Sequence, residues 1–357
     1  MISAIVLAGG YATRLRPLSL TRPKPLLPVL AKPLIDYILD SVERAEISNV
    51  FVSLRVMANK IVSHLMKEKR NVIPVIEQER LGDAGPLKLI YNNYKLGDTT
   101  VVLNGDVYFE TNIKDVVDFH QSKGCDATVV GTKVEDPRRF GVLLTEGYRL
   151  VEILEKPKSP PSNLINAGIY VFNSELFRLI EGKSIARDFL TSLLRSNKNV
   201  CVYEYDGIWA DIGRPEDYRD LNLKLLASRF PRGYIAEGAK VSERAELRAP
   251  YFIPERTTVE GEAEVFYSVL GHENVVSSGA RVAESVLLDK VNVGKFSTVN
   301  SSILGEGVSL GKRCWVESSI LGDEVEVYDN VFLNEGTIVL PNKEISEPVF
   351  ERHKVIL

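Results

Sequence analysis

Apolar residues follow two different patterns along the chain, and the change comes near residue 230. Before that point, short apolar runs alternate with segments in which apolar residues recur every three to four positions. The runs predict strands, and the spaced segments predict amphipathic helices. Their alternation predicts an α/β fold with a largely parallel sheet and helices on both faces. The predicted strands are 3–7, 50–54, 72–76, 100–103, 127–132, 151–154 and 168–172, and the predicted helices are 34–45, 61–69, 113–122, 185–194 and 216–226.

After residue 230, one apolar residue recurs every six positions. This period fits neither a helix nor a hairpin, and it is typical of a parallel β-helix, in which each short strand points one apolar side chain into a narrow core. Interruptions near Gly271, Val299 and Ser318 indicate loops or irregular coils, and the tail 347–357 is expected to cap the open end. The alternative is a β-sandwich with coincidental spacing. The positions that carry the period are Ile235, Val241, Leu247, Ile253, Val259, Val265, Val276, Val282, Leu288, Leu304, Leu310, Val316, Leu321, Val327, Leu333, Val339 and Ile345.

Composition supports two soluble domains, which we place at 1–230 and 231–357. The chain has 357 residues, of which 45% are hydrophobic and 26% charged, an ordinary globular balance. No apolar run approaches the roughly 18 residues of a membrane span, and the N-terminus does not resemble a signal peptide. The three cysteines lie far apart without a CxxC pair, which argues against a disulfide framework or zinc site and favours a reducing, cytoplasmic location.

Positive charge without neighbouring acidic residues occurs in one segment near the N-terminus. The net charge is −4, and from Arg229 to the end 20 acidic residues outnumber 14 basic ones. A general nucleic-acid binder carries a broad basic excess, so we expect no nucleic-acid partner. Residues 1–35 contain no Asp or Glu but five Lys and Arg side chains. A compact anion such as phosphate is the natural partner of such a cluster.

Two loops follow predicted strands and are therefore candidate ligand sites, because ligands of open α/β sheets bind at the carboxyl ends of strands. After the strand 3–7 comes Gly9-Gly10, which lets backbone N–H groups approach a ligand, although a tight turn would also explain the pair. Thr13 and Arg14 then add side-chain donors. Lys24 lies between prolines, in what we predict to be an extended loop that positions its ammonium group.

The second loop contains Asp106, which follows the strand 100–103 in Asn104-Gly105-Asp106. Asp211 occupies a similar turn further along the chain. Two carboxylates together with phosphate oxygens make a suitable octahedral site for Mg²⁺. The alternative is that each is a turn or helix-cap residue, with Asp211 capping the helix 216–226.

Several motifs resemble those of the sugar-1-phosphate nucleotidylyltransferases, and within that family most closely the mannose-1-phosphate guanylyltransferase branch. The segment LAGGYATRLRPLSLTRPKPLLPVLAKPL is similar to the family signature. Later segments resemble, in the family's order, its LGTAGPL, NGD, YGV, EKP, NAGIY and WxDIG elements. In this sequence they begin at Leu81, Asn104, Phe140, Glu155, Asn166 and Trp209.

The resemblance implies a Rossmann-like nucleotidyltransferase domain followed by a left-handed parallel β-helix of hexapeptide repeats. The reaction that it implies is transfer of a nucleoside monophosphate from an NTP to a sugar 1-phosphate with release of pyrophosphate, and the favoured substrates are GTP and mannose 1-phosphate. It also implies Mg²⁺ as the cofactor and homo-oligomers formed through the β-helix. The catalytic residues that it implies are Arg14, Lys24, Asp106 and Asp211, with Mg²⁺ on the two aspartates. The nucleotide-binding residues are Leu7, Ala8, Gly9, Gly10, Thr13, Gly82, Asp83 and Gly85, and the sugar-phosphate-binding residues are Gly141, Glu155, Lys156, Asn166 and Gly168.

Two positions depart from the family pattern. Ala12 stands where the family has Gly, which costs strain if that position needs a positive φ. Asp83 stands where the family has Thr, and its carboxylate would either accept hydrogen bonds from guanine or face solvent. Three alternatives therefore stay open: a uridylyl- or thymidylyltransferase acting on glucose 1-phosphate, a non-catalytic regulatory subunit, and an added acetyltransferase activity in the β-helix.

Overall fold

The computed structural model describes every residue from Met1 to Leu357, and the chain forms two compact units. The first comprises Met1–Gly10 and Leu34–Asp211, and the second comprises Tyr11–Pro33 and Ile212–Leu357. Two segments that precede residue 230 thus pack with the second unit. We call Tyr11–Pro33 the basic loop.

A nine-stranded sheet forms the centre of the first unit. Its strands, in chain order, are β1 (Ile2–Leu7), β2 (Asn49–Leu54), β3 (Ile73–Ile76), β4 (Thr99–Asn104), β5 (Ala127–Lys133), β6 (Gly141–Glu146), β7 (Arg149–Glu155), β8 (Leu164–Asn173) and β9 (Val200–Tyr205).

The strand order in space is β3-β2-β1-β4-β8-β5-β9-β7-β6. The strands from β3 to β4 are parallel, as are β5 and β9, whereas the other four neighbouring pairs are antiparallel. Helices connect the successive strands from β1 to β4, and a short turn connects the antiparallel pair β6 and β7, because a hairpin reverses direction and a helical crossover does not. The α/β architecture is confirmed, with a mixed sheet.

Six α-helices accompany the strands: α1 (Leu34–Arg44), α2 (Ala58–Lys67), α3 (Gly85–Asn93), α4 (Ile113–Ser122), α5 (Thr191–Arg195) and α6 (Pro215–Arg229). A π-helical turn, Ile185–Leu190, leads directly into α5. The sequence pattern did not predict α3, since Gly85 and Pro86 are typical helix breakers. A proline in the first helical turn is nevertheless well tolerated, because the N–H that it lacks has no partner there.

The basic loop is not the extended segment that its prolines predict. It contains three short 3₁₀ turns, Thr13–Leu15, Leu18–Leu20 and Lys24–Leu26. Proline fixes φ near the value that such turns need, so Pro17 and Pro23 start the second and third turns rather than prevent them.

A parallel β-helix forms most of the second unit and confirms the interpretation of the six-residue period. The helix α6 packs on its first coils. Its short strands are Tyr234–Ile235, Lys240–Val241, Glu246–Ile253, Thr258–Val259, Glu264–Val269, Val275–Val276, Arg281–Ala283, Val286–Leu287, Asn292–Val293, Thr298–Asn300, Ile303–Leu304, Ser309–Leu310, Trp315–Glu317, Ile320–Leu321, Glu326–Val327, Phe332–Leu333, Ile338–Val339, Glu344–Ile345 and Val355–Ile356.

The central coils of the β-helix have a side that is one residue short, whereas the first coil and the step from Ile320 to Ile338 keep 18 residues. Val265 pairs with Val282, and Val282 with Val299, so that equivalent residues are 17 positions apart along the chain. Two sides of a coil keep the six-residue step and the third takes five, which places Leu287 rather than Leu288 in register with Leu304. The interruptions in the pattern are therefore a regular feature of the coils, and the expectation of loops or irregular coils there was wrong.

Hydrogen bonds between coils stabilise the short side. A ladder of fully or nearly fully buried serines, Ser268, Ser285, Ser302 and Ser319, connects four coils. Each of the first three serine hydroxyls accepts the backbone N–H of the next serine at 2.9–3.1 Å. The strand Val355–Ile356 pairs with Ile338–Val339 and so adds the tail to the last coil, as predicted.

Cys125 and Cys201 form a disulfide bond, with Cα atoms 6.0 Å apart. The expectation that the cysteines stay unpaired was wrong, because parallel pairing of β5 with β9 brings together residues that are 76 positions apart. The argument from cysteine usage for a reducing compartment therefore loses its support. Separately, none of the helices combines the length and the apolar character that a membrane crossing requires.

We expect Cys125→Ser to lower the free energy of unfolding by about 2–4 kcal/mol, because the bond closes a long loop in the unfolded chain. Denaturant titration without reductant measures the difference. With reductant present, wild type and variant are expected to unfold together, and a difference that persisted there would contradict the assignment of the loss to the bond.

Candidate active site

The strands β1 and β4 end side by side, so the two loops predicted to bind ligand are neighbours. Leu7 lies opposite Asn104, and the N–H of Gly105 donates to the Leu7 carbonyl at 2.8 Å. Ala8 is buried, and its N–H donates to Ser53 O at 2.8 Å. After this anchored stretch, Gly9 is half-buried and Gly10 is exposed, with open space where a Cβ would lie. The backbone of the glycine pair is thus accessible to a ligand at the carboxyl edge of the sheet.

Asp106 and Asp211 are brought together by a small antiparallel ribbon. The ribbon pairs Val107–Phe109 with Trp209–Asp211, and in its register Asp211 lies opposite Val107, the residue after Asp106. Both aspartates are half-exposed. Asp211 is not a helix cap, because the N-cap of α6 is Arg214.

The donor set at this ribbon fits Mg²⁺. No group of three or more His, Cys, Asp or Glu side chains that could hold a metal occurs in the structure. Mg²⁺ typically binds one or two carboxylates and takes its other ligands from water and substrate phosphates. Two half-exposed carboxylates on adjacent strands meet that requirement, whereas a closed zinc site would need four protein ligands.

A second group of predicted residues surrounds a bulge in β8. Asn166 donates from Nδ2 to the hydroxyl of Tyr170 at 2.9 Å and accepts the Gly168 N–H at 3.0 Å. Gly168 has φ +74°, and any Cβ there would lie 2.5 Å from Nδ2 of Asn104. The position therefore requires glycine on both conformational and steric grounds. Nε1 of Trp209 donates to Ala167 O at 2.9 Å and so ties the aspartate ribbon to this bulge.

Gly141, Glu155 and Asn166 lie close together. Gly141 pairs with Glu155 across β6 and β7, and a Cβ on Gly141 would lie 3.1 Å from Glu155 Oε2 and 3.8 Å from Asn166 Cβ. Lys156 has φ +49° and points its ammonium toward the same carboxylate, with Nζ 3.6 Å from Glu155 Oε1. Burial raises the pKa of Tyr170, and the carboxylates of Asp83, Glu155 and Asp106 raise it further.

The segment 81–85 is fixed against the chain that leads into α5. The N–H groups of Asp83 and Ala84 donate to Lys183 O at 3.0 and 3.2 Å. Gly82 has φ +79°, and a Cβ there would collide with the same carbonyl. Gly85 begins α3.

The Asp83 carboxylate has a local partner. It accepts the Ile185 N–H at 2.9 Å, and burial raises its pKa. Its side chain therefore joins two segments while it stays partly exposed.

Glu77 is a site residue that the sequence analysis missed. It follows β3, is buried, and has Oε1 3.0 Å from the Cβ position of Gly9. Ser53 Oγ donates to the same oxygen at 2.7 Å, and burial raises the pKa of the carboxyl group. The signal was available: Glu77 directly follows a strand that is parallel to β2 and β1, so its side chain belongs to the same carboxyl edge.

The predicted residues of the basic loop differ in their exposure to solvent. Thr13 and Arg14 are exposed, and Lys24 is buried between Pro23 and Pro25 at the start of a 3₁₀ turn. Ala12 has φ +47°, so the position does require the left-handed conformation, at a cost of about 1–2 kcal/mol for a residue other than glycine. Ser19 Oγ donates to Ala12 O at 2.8 Å and helps to hold it there.

Comparison with known proteins places these features in a family. The sequence pattern of the Nucleotidyl transferase family matches residues 3–228, which is more than half of the chain. The chain belongs to the nucleotidyl transferase family. Residues 247–356 match the family described as GMPPB C-terminal domain, so the β-helix carries its own family match.

Similar proteins extend the match. A protein of Sulfolobus acidocaldarius named "Putative mannose-1-phosphate guanyltransferase" is 54% identical over 359 residues, which cover all of both chains. The mannose-1-phosphate guanyltransferase of Saccharomyces cerevisiae is 35% identical over 67% of this chain and 70% of its own. Among solved structures, a "Putative Glucose-1-Phosphate Thymidylyltransferase" from Bacillus anthracis superposes with a TM-score of 0.56 at 29% identity, over 62% of this chain and 94% of its own.

Proposed function

We propose that this protein transfers GMP from GTP to mannose 1-phosphate, forming GDP-mannose and pyrophosphate. The observation that carries the proposal is the register that places Asp211 opposite Val107, next to Asp106, beside the glycine-rich end of β1, in a chain of this family. The names of the relatives from Sulfolobus and yeast support GTP and mannose 1-phosphate as the substrates.

The chemistry needs charge neutralisation more than proton transfer. The attacking phosphate of a sugar 1-phosphate is already an anion at neutral pH, since its second pKa is about 6. No general base is required, and the difficulty lies in bringing two anions together. Arg14 and Lys24 neutralise the triphosphate in this proposal, while Asp106 and Asp211 hold Mg²⁺. The metal supplies positive charge at the α-phosphate.

The other predicted residues bind and orient the substrates. Leu7, Ala8, Gly9 and Gly10 offer backbone to the nucleotide, with Thr13 as a side-chain donor, and Gly82, Asp83 and Gly85 shape the wall for the base. On the sugar side, Lys156 binds the phosphate. Glu155 accepts hydrogen bonds from the sugar hydroxyls, and Asn166 both accepts hydrogen bonds from them and donates to them. Gly141 and Gly168 offer backbone to the sugar phosphate, and a Cβ at either would lie 2.5–3.1 Å from the side chain of Asn104 or Glu155 and displace it.

Glu77 is our candidate for the residue that selects guanine. Guanine presents two adjacent donors on one edge, N1–H and the exocyclic amino group, and one carboxylate accepts both. Oε1 of Glu77 also accepts from Ser53, but a carboxylate has about four acceptor sites in all. Asp83, which accepts the N–H of Ile185, remains the second candidate for this role.

Glu77→Gln is expected to lower kcat/KM for GTP by about tenfold or more, because an amide N–H₂ would oppose one of guanine's donors. The ratio of kcat/KM for GTP to that for UTP measures the effect. Glu79→Gln, at an exposed neighbouring position, is the matched control. Equal loss with both nucleotides would contradict a role in base selection.

A panel of four nucleoside triphosphates against several sugar 1-phosphates, followed by pyrophosphate release, tests the substrate assignment. We expect GTP with mannose 1-phosphate to give the highest kcat/KM. A higher value for UTP or dTTP with glucose 1-phosphate would favour the second candidate, which the thymidylyltransferase structure supports.

The regulatory-subunit alternative predicts no turnover by the purified chain alone. We favour an enzyme, because Arg14, Lys24, Asp106 and Asp211 are all present. An acetyltransferase in the β-helix would be revealed by transfer from acetyl-CoA, and we expect none.

We also propose that residues 1–230 form the catalytic domain and 231–357 a β-helix domain through which copies associate. Exposed aromatic side chains on the β-helix, Phe296 and Trp315, support such an interface. Sedimentation of the wild type and of Trp315→Ser tests it, with a smaller species expected for the variant.

A further inference from the structure

Arg22 lies in the basic loop, but its guanidinium is occupied by carboxylates of the β-helix. Nη2 lies 2.7 Å from Glu306 Oε2 and 2.9 Å from Asp323 Oδ2, and the Arg22 side chain is only 15% exposed. The neighbouring Thr21 donates from Oγ1 to the same oxygen of Asp323 at 2.6 Å. Of the basic side chains that make the loop attractive to phosphate, this one is therefore committed to the protein itself.

The two carboxylates are themselves fixed by the coils. Oδ1 of Asp323 accepts the backbone N–H of Glu306 from the preceding coil at 2.8 Å, and Asp323 is buried. Oε1 of Glu306 accepts from Lys290 Nζ at 2.9 Å, so that its charge is balanced from the other side. Three successive coils thus present a preformed acidic socket, which we define as Glu306 and Asp323, to one arginine.

The loop is held at a second point after Lys24. The Leu30 N–H donates to Asn222 Oδ1 at 2.9 Å, and the hydroxyl of Tyr218 donates to Pro28 O at 2.5 Å. Tyr218 and Asn222 are fully buried on α6. This helix is tied to the coils in turn, because Arg219 Nη1 donates to Ser301 O at 2.7 Å.

Lys24 therefore lies between two attachments of the loop to the β-helix unit. We propose that Arg22 is a positioning residue: its ion pairs with Glu306 and Asp323 hold the basic loop against the coils and so keep the Lys24 ammonium in place. The acidic socket of the β-helix thereby contributes to phosphate binding. The inference rests on the proposed function for the role of Lys24. It extends that function by giving the β-helix a direct part in the chemistry of its own chain.

A double-mutant cycle tests the proposal. Arg22→Met is expected to lower kcat about 10²-fold, because small displacements of a positioned group have effects of that size. Asp323→Asn, which changes no residue of the loop, is expected to act in the same direction, and Arg22→Lys to restore most of the activity. If Arg22 acts through Lys24, adding Arg22→Met to Lys24→Ala costs little more. Multiplicative losses in the double variant would overturn the proposal.

Arg256→Met is the matched control, since Arg256 forms an exposed ion pair with Glu273 at 3.2 Å on the same β-helix. We expect it to retain wild-type kcat. Circular dichroism and thermal melting establish that each variant is folded at the assay temperature, and Asp323→Asn keeps the test valid if Arg22→Met unfolds.

Binding of inorganic tripolyphosphate in the presence of Mg²⁺, measured by calorimetry, separates this inference from the proposed function. The measurement needs neither nucleotide nor sugar. Wild-type binding that Arg22→Met and Asp323→Asn weaken about tenfold or more would support the positioning role even if no nucleotide were transferred. Unchanged affinity in both variants, or no binding by the wild type, would overturn it.

Discussion

Replacing Asp106 by alanine is expected to reduce turnover about 10²–10³-fold, the usual cost of removing one preorganised electrostatic group. Asp106 and Asp211 are the two carboxylates that we propose to hold Mg²⁺, so the substitution leaves Asp211 alone in that role. Asp106 is half-exposed, which means that the substitution removes charge without opening a core cavity. Pyrophosphate release at saturating substrates measures the effect.

Two further measurements make the Asp106 result specific. Activity of the variant is expected to need a higher Mg²⁺ concentration for half-maximal rate, whereas a merely structural defect would not shift that requirement. Asp118→Ala, on the exposed face of α4, is the matched control and should behave as wild type. Wild-type turnover in Asp106→Ala would remove this residue from the mechanism.

Replacing Lys24 by alanine is expected to lower turnover by a similar factor of about 10²–10³. In the proposed reaction its ammonium neutralises the triphosphate. Because Lys24 is buried, alanine also creates a cavity, and the loss of packing has to be separated from the loss of charge. Lys24→Met keeps most of the volume, so equal losses in both variants would assign the effect to the charge.

Arg16→Ala serves as the charge control for Lys24, because Arg16 is an exposed cation of the same loop. It is expected to change turnover only a few-fold through the general field of the loop. If Arg16→Ala and Lys24→Met lost activity equally, the loop would act as a diffuse positive patch and not through one placed ammonium.

What the sequence could predict depended on how local each signal is. The valines and leucines of the β-helix core repeat within six residues, so their burial follows from the pattern alone. Asp106 could be predicted as a site residue because it comes shortly after the end of a buried strand. Asp211 could be grouped with it from its similar turn, but the ribbon that joins them was not predictable, because it connects segments about a hundred positions apart.

Features that depend on distant pairing were not predictable. Cys125 and Cys201 meet only because two strands pair in a particular register. Arg22 finds Asp323 from a position 301 residues away, and it looked like a phosphate ligand because the sequence does not reveal partners at that distance. Glu77 was missed for a different reason. Its position after a strand could be predicted from the sequence, but it lies outside every recognised motif.

The placement of the basic loop in the same unit as the β-helix has a consequence for how such genes can recombine. An exchange at residue 230 between two related genes would join the loop of one parent to the coils of the other. Unless both parents supply an arginine and the matching carboxylates, the hybrid would contain a buried charge without its partner. We therefore expect the hybrids that fold to be those in which Arg22, Glu306 and Asp323 come from the same parent. The basic loop and the coils would then be inherited together.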